Sequence, residues 1–68
     1  MPFAGHRLQE LREAQGRSRE RLAGDIGRSY PAVVAYESGR VTPPLPVAEA
    51  IAQALGVPLA DLLDEGDQ

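Results

Sequence analysis

The sequence predicts an all-α domain, a compact bundle of five helices, and three observations carry that expectation. Apolar residues recur at spacings of three and four, and no stretch alternates with the period of a strand. Helix starts and stops punctuate these runs: Ser18 and Ser29 stand before two of them, and Gly16, Gly27, Gly39 and Gly56 follow four. The chain has 68 residues and no Cys, which suits one small core and no disulfide framework. A single domain over 1–68 follows, with its core over about 5–63 and an acidic, disordered tail over 64–68.

Met1–Ala4 carries no helix or strand signal and reads as a short arm. Gly5–Gln15 forms the first helix, with Leu8, Leu11 and either Ala14 or Gln15 on one face, and Gly16 ends it. The second helix covers about Arg19–Ile26, capped by Ser18, with Leu22, Ala23 and Ile26 inward. Gly27 then supplies a turn that tolerates positive φ. The third helix covers about Tyr30–Ser38 with Ser29 as its cap. Pro31 belongs in its first turn, where the missing N–H has no partner to lose, and Val33 and Tyr36 face inward.

After a proline-bearing loop at Arg40–Pro44, the fourth helix runs over Leu45–Leu55 with Leu45, Ala48, Ile51, Ala52 and Leu55 as its buried stripe. A short fifth helix over Leu59–Leu63 closes the bundle. Val57, Leu59, Leu62 and Leu63 suit core packing slightly better than they suit a dimer surface.

Charge is unevenly distributed. The chain carries seven Arg, no Lys and ten acids, for a net charge of -3, whereas a nucleic-acid binder is expected to be basic. All seven Arg lie at or before Arg40, against five acids, so that part carries +2. From Val41 onward there are five acids and no base, or -5. The basic part coincides with the two short helices at Ser18–Gly39, a helix-turn-helix pattern. A solvated arginine face is the plainer alternative. Arg19 in the first turn of its helix opposes the positive end of the helix dipole, and an external anion would offset that.

Several function classes are excluded. His6 is the only histidine, which rules out a histidine metal cluster, and no Ser, Asp or second His accompanies it at useful spacing for catalysis. An enzyme is not expected, nor a metal or other cofactor. No run approaches transmembrane length, which points to a cytoplasmic protein without a membrane partner.

The stretches LQELREAQGRSRERLAGDIG, AYESGR, IAQALGV and DLL resemble the lambda-repressor-like helix-turn-helix family, also called the xenobiotic-response-element family. The likeness spans about Leu8–Leu63, through the joint spacing of Gly16, Leu22-Ala23, Gly27, Glu37, Gly39 and Ala54-Leu55-Gly56-Val57. It implies a five-helix domain, usually a homodimer, that binds double-stranded DNA with its third helix in the major groove. By the motif, Arg19, Arg28 and Arg40 would neutralise phosphates, while Ser29, Tyr30, Pro31, Val34 and Ala35 would lie at the entry and exposed face of the reading helix. It also implies a partly buried ion pair between Arg12 and Glu37, although the residues alone allow two solvated charges equally well.

This chain departs from the family where bases would be read. Polar residues are common there, but Tyr30, Pro31, Val34 and Ala35 have almost no capacity for paired hydrogen bonds. Thymine methyl contact, the Tyr30 hydroxyl and DNA shape remain. An alternative function is a protein-interaction module on the same fold, antitoxin-like or anti-repressor, docking a partner through that apolar face.

Overall fold

The computed structural model describes residues 2–64 and contains four α-helices. These are α1 (Gly5–Ala14), α2 (Arg19–Ile26), α3 (Tyr30–Ser38) and α4 (Leu45–Leu55), followed by a 3₁₀ turn at Leu59–Leu62. Local chemistry sets the ends. The Ser18 hydroxyl accepts from the Arg21 N–H at 3.0 Å and the Ser29 hydroxyl from the Ala32 N–H at 3.3 Å. Gly27 stops α2 at φ 69° and Gly39 stops α3 at φ 80°, values that favour glycine strongly.

The expected fifth helix is a correction. Leu59–Leu62 is a 3₁₀ turn, and its end bonds run from Asp61 N–H to the Pro58 carbonyl and from Leu63 N–H to the Ala60 carbonyl. Leu63 is extended and bridges to Phe3, so no residues remain to complete an α-helical nucleus. That bridge also revises the arm. The Ala4 N–H donates to the Leu62 carbonyl at 2.8 Å and the Asp64 N–H to the Pro2 carbonyl at 2.8 Å, pinning both segments together. Asp64 is thus tied within the acidic stretch 64–68, and the rest of that stretch lies outside the described residues.

Leu8, Leu22, Val33, Ile51 and Leu62 form the fully buried centre. α3 packs against both α1 and α2, α2 also packs on α4, and the 3₁₀ turn closes over α4 and α1. Val57 and Leu59 are half-buried against this core. Leu45, expected in the α4 stripe, is 61% exposed, and Val47 takes its place. Both positions satisfy helical spacing, but Leu45 is the first residue of the helix. Ala14, one of two options for the α1 face, is exposed, whereas the Gln15 amide donates to the Leu55 carbonyl at 2.7 Å.

Gly5 sets the distance between α1 and α3. A Cβ there would lie 2.3 Å from the Tyr36 carbonyl oxygen and 2.6 Å from that of Glu37. The helices approach this closely because nothing projects between them.

Candidate nucleic-acid interface

α2, the Gly27 turn and α3 present one end of α3 to solvent. Arg28, Ser29, Tyr30 and Pro31 are all exposed there, and Val34 is half-buried one turn further on. The turn is pinned from within, since the Arg28 N–H donates to the Ala23 carbonyl at 2.9 Å. Ala35 corrects the expectation of an exposed contact, for it is only 6% exposed. Two helices pack on α3, and past Gly39 the chain doubles back so that the Arg40 and Val41 N–H groups donate to the Ala35 carbonyl. A single methyl is easily covered in such surroundings. The outward apolar surface of α3 is therefore Tyr30, Pro31 and Val34.

Behind this end lies a buried charge cluster built on Glu37, whose side chain is 3% exposed. Arg12 grips it with Nε 2.5 Å from Oε2 and Nη2 3.3 Å from Oε1. The third Arg12 nitrogen, Nη1, donates to the Arg17 carbonyl at 2.8 Å. Arg19 then adds its Nε to Glu37 Oε1 at 3.0 Å. One carboxylate thus serves two guanidinium groups, and Arg12 Nη2 also lies 3.6 Å from the exposed Glu13 carboxylate. The Arg19 pKa is pushed above its already high usual range, mainly by the bond to Glu37 and next by one to Tyr30. The spacing of residues gave no sign that Arg19 and Arg12 share Glu37.

Other arginines are also engaged inside the fold. Arg17 bonds Asp25 at 3.0 Å and the Ala54 carbonyl at 2.8 Å, Arg21 lies 3.7 Å from Asp25, and Arg7 donates to the Asp61 carbonyl at 2.9 Å. Among the described residues, only the Arg28 and Arg40 guanidinium groups have neither an ion pair nor a hydrogen bond. They flank α3 at its two ends. Among the described residues, no group of three His, Cys, Asp or Glu side chains could hold a metal ion, and no helix is long and apolar enough to cross a membrane.

A family model described as a helix-turn-helix domain matches residues 4–65, nearly the whole described chain. The chain belongs to the lambda-repressor-like helix-turn-helix family. The transcriptional repressor RstR of the cryptic phage CTXphi in Vibrio cholerae is 31% identical to this helix-turn-helix domain over 61 residues. That span is 90% of this chain and 55% of RstR, so the chain covers about half of that relative. Among solved structures, the restriction-modification controller protein C.AhdI from Aeromonas hydrophila is 36% identical with a TM-score of 0.83. That match covers 87% of this helix-turn-helix domain and 89% of C.AhdI. SinR, the master biofilm regulator of Bacillus subtilis, has been solved in complex with DNA. It is 26% identical with a TM-score of 0.82, over 88% of this chain and 97% of that one.

Proposed function

We propose that this helix-turn-helix domain binds double-stranded DNA in the cytoplasm as a homodimeric transcriptional repressor, with α3 entering the major groove. The observation that carries this reading is the exposed N-terminal end of α3, flanked by the Arg28 and Arg40 guanidinium groups, which have no partner among the described residues. A helix-turn-helix offers this end of its second helix to base edges, while the preceding helix lies against the backbone. The likeness to the repressor RstR and to SinR supports the same role. A dimer is favoured because one small module with few free cations makes too few phosphate contacts for tight binding.

Binding to mixed-sequence duplex, measured against salt, tests this reading. Arg19→Ala and Arg40→Ala are each expected to weaken binding to all sequences alike. Each should lower the slope of log affinity against log salt by about one per protomer. Arg7→Ala is the control, since Arg7 is engaged with the Asp61 main chain on α1. An equal effect from Arg7 would remove the docking geometry, and salt-independent or absent binding would remove the function.

Direct reading by α3 is confined to methyl contact. Val34 offers an apolar side chain at the exposed end, and thymine carries the complementary C5-methyl in the major groove. Replacing a contacted thymine by uracil should weaken binding, and Val34→Ala should weaken it on thymine DNA but not on uracil DNA. Additive effects of the two changes would show that Val34 does not touch that base.

A protein-interaction role on the same fold is the second reading. The exposed side chains of Tyr30, Val41 and Leu45 favour it. Persistent failure to bind duplex at low salt would select it.

A further inference from the structure

The end of α3 that would enter the groove is poorly equipped to read bases by hydrogen bonding. Pro31 and Val34 have no polar side-chain atom. The Ser29 hydroxyl accepts from the Ala32 N–H as the helix cap, and the Ser29 and Tyr30 hydroxyls each carry a single O–H donor. Arg28 alone at this end carries a planar fork of N–H donors. It directly precedes the cap, its side chain has no partner among the described residues, and its own N–H is anchored on the Ala23 carbonyl at 2.9 Å. The root of the side chain is thereby fixed while its tip stays free.

A guanidinium presents N–H donors in a planar fork, which matches the adjacent N7 and O6 acceptors of guanine in the major groove. Arg40 is equally free, but it follows the far end of the nine-residue α3. That places it about 13 Å along the helix from the end that meets base edges. We propose that Arg28 reads a guanine in the major groove instead of neutralising a phosphate. This inference rests on the DNA-binding reading above. It assigns the hydrogen-bonded part of sequence recognition to the turn before α3, leaving the α3 face to methyl contact.

Selection from a random pool of DNA duplexes, run in parallel with the wild-type chain and with Arg28→Ala, tests the assignment. The variant is expected to keep its fold, because the deleted side chain is exposed and has no hydrogen-bond or ion-pair partner among the described residues. Wild-type protein is expected to enrich a site with one fixed guanine in each half-site. Arg28→Ala should enrich the same site with that position randomised. Substituting deazaguanine, which lacks N7, at that position should lower wild-type affinity about 5- to 150-fold and leave Arg28→Ala unaffected. The salt slope should be the same for both proteins.

If the guanine preference survives in Arg28→Ala, or the slope falls by about one with the selected site unchanged, Arg28 is a phosphate ligand and the assignment fails. A wild-type site without a fixed guanine, or salt-dependent binding with no enriched sequence, also overturns it. In all of these cases DNA binding itself stands. Absence of any salt-dependent binding by the wild type would overturn both the assignment and the reading beneath it.

Discussion

Replacing Gly5 by alanine is expected to lower the stability of the domain by about 3 kcal/mol, the upper end of what overpacking costs. The added Cβ would fall 2.3 Å from the Tyr36 carbonyl oxygen and 2.6 Å from that of Glu37. Both obstacles are backbone atoms of α3, so no side chain can rotate away. α1 must move off α3, and Leu8 and Arg12, buried on the same helix, move with it. For a domain of this size the loss removes most of the available stability. Gly24 provides a control of opposite sign. It lies inside α2 with negative φ, and a Cβ added there would meet nothing within 4 Å. Gly24→Ala should therefore stabilise by about 0.5–1 kcal/mol through helix propensity and a less flexible unfolded chain. Denaturant melts of both variants decide the matter. A Gly5→Ala loss below about 1 kcal/mol would show that the helices separate readily.

Glu37→Ala is expected to cost about 3–5 kcal/mol, because it leaves the buried Arg12 guanidinium with only the exposed Glu13 carboxylate, at 3.6 Å, as a counter-ion. Arg12→Ala should cost less. Glu37 would still hold Arg19 at 3.0 Å, so its charge is not abandoned, although the Arg17 carbonyl loses its donor. The double variant should lose less than the sum of the two, since removing both charges leaves nothing buried and unpaired. The melts required are those of the two single variants and the double. Losses below about 1 kcal/mol for both singles would mean that the pair behaves as solvated charges do.

The legible parts of this fold are those decided within a few residues. Ser18, Ser29, Gly27, Gly39 and Gly56 mark their helix ends because capping and positive φ are local chemistry. Which side of a helix faces inward was legible where polar residues flank an apolar stripe, as they do around Leu22 and Ala23. It was not legible in α3. Tyr, Pro, Ala and Val surround that helix on every side, so nothing in its pattern separates buried Ala35 from outward Val34. Leu45 and Val47 posed the same ambiguity at the start of α4.

Long-range pairings were the other blind spot. The Arg12–Glu37 contact entered only as an implication of family likeness, and the third member, Arg19, did not enter at all. Nothing in the spacing of charges specifies which two of seven arginines will meet one carboxylate. The same limit hid the fact that Arg17 is tied to α4 and that, among the described residues, Arg28 and Arg40 alone have no side-chain partner. Counting basic residues therefore overstated the charge available to a phosphate backbone.

The bridge between Phe3 and Leu63 bears on the order of assembly. It joins segments that stand at opposite ends of the described chain, so closing it brings together a loop of about 60 residues at an entropic cost of roughly 4 kcal/mol. The two main-chain hydrogen bonds that make the bridge, Ala4–Leu62 and Asp64–Pro2, cannot repay that cost alone. The helices must first collapse around Leu8, Leu22 and Ile51, which shortens the effective loop before the ends meet. The clasp is thus a late event in folding and an early one in unfolding.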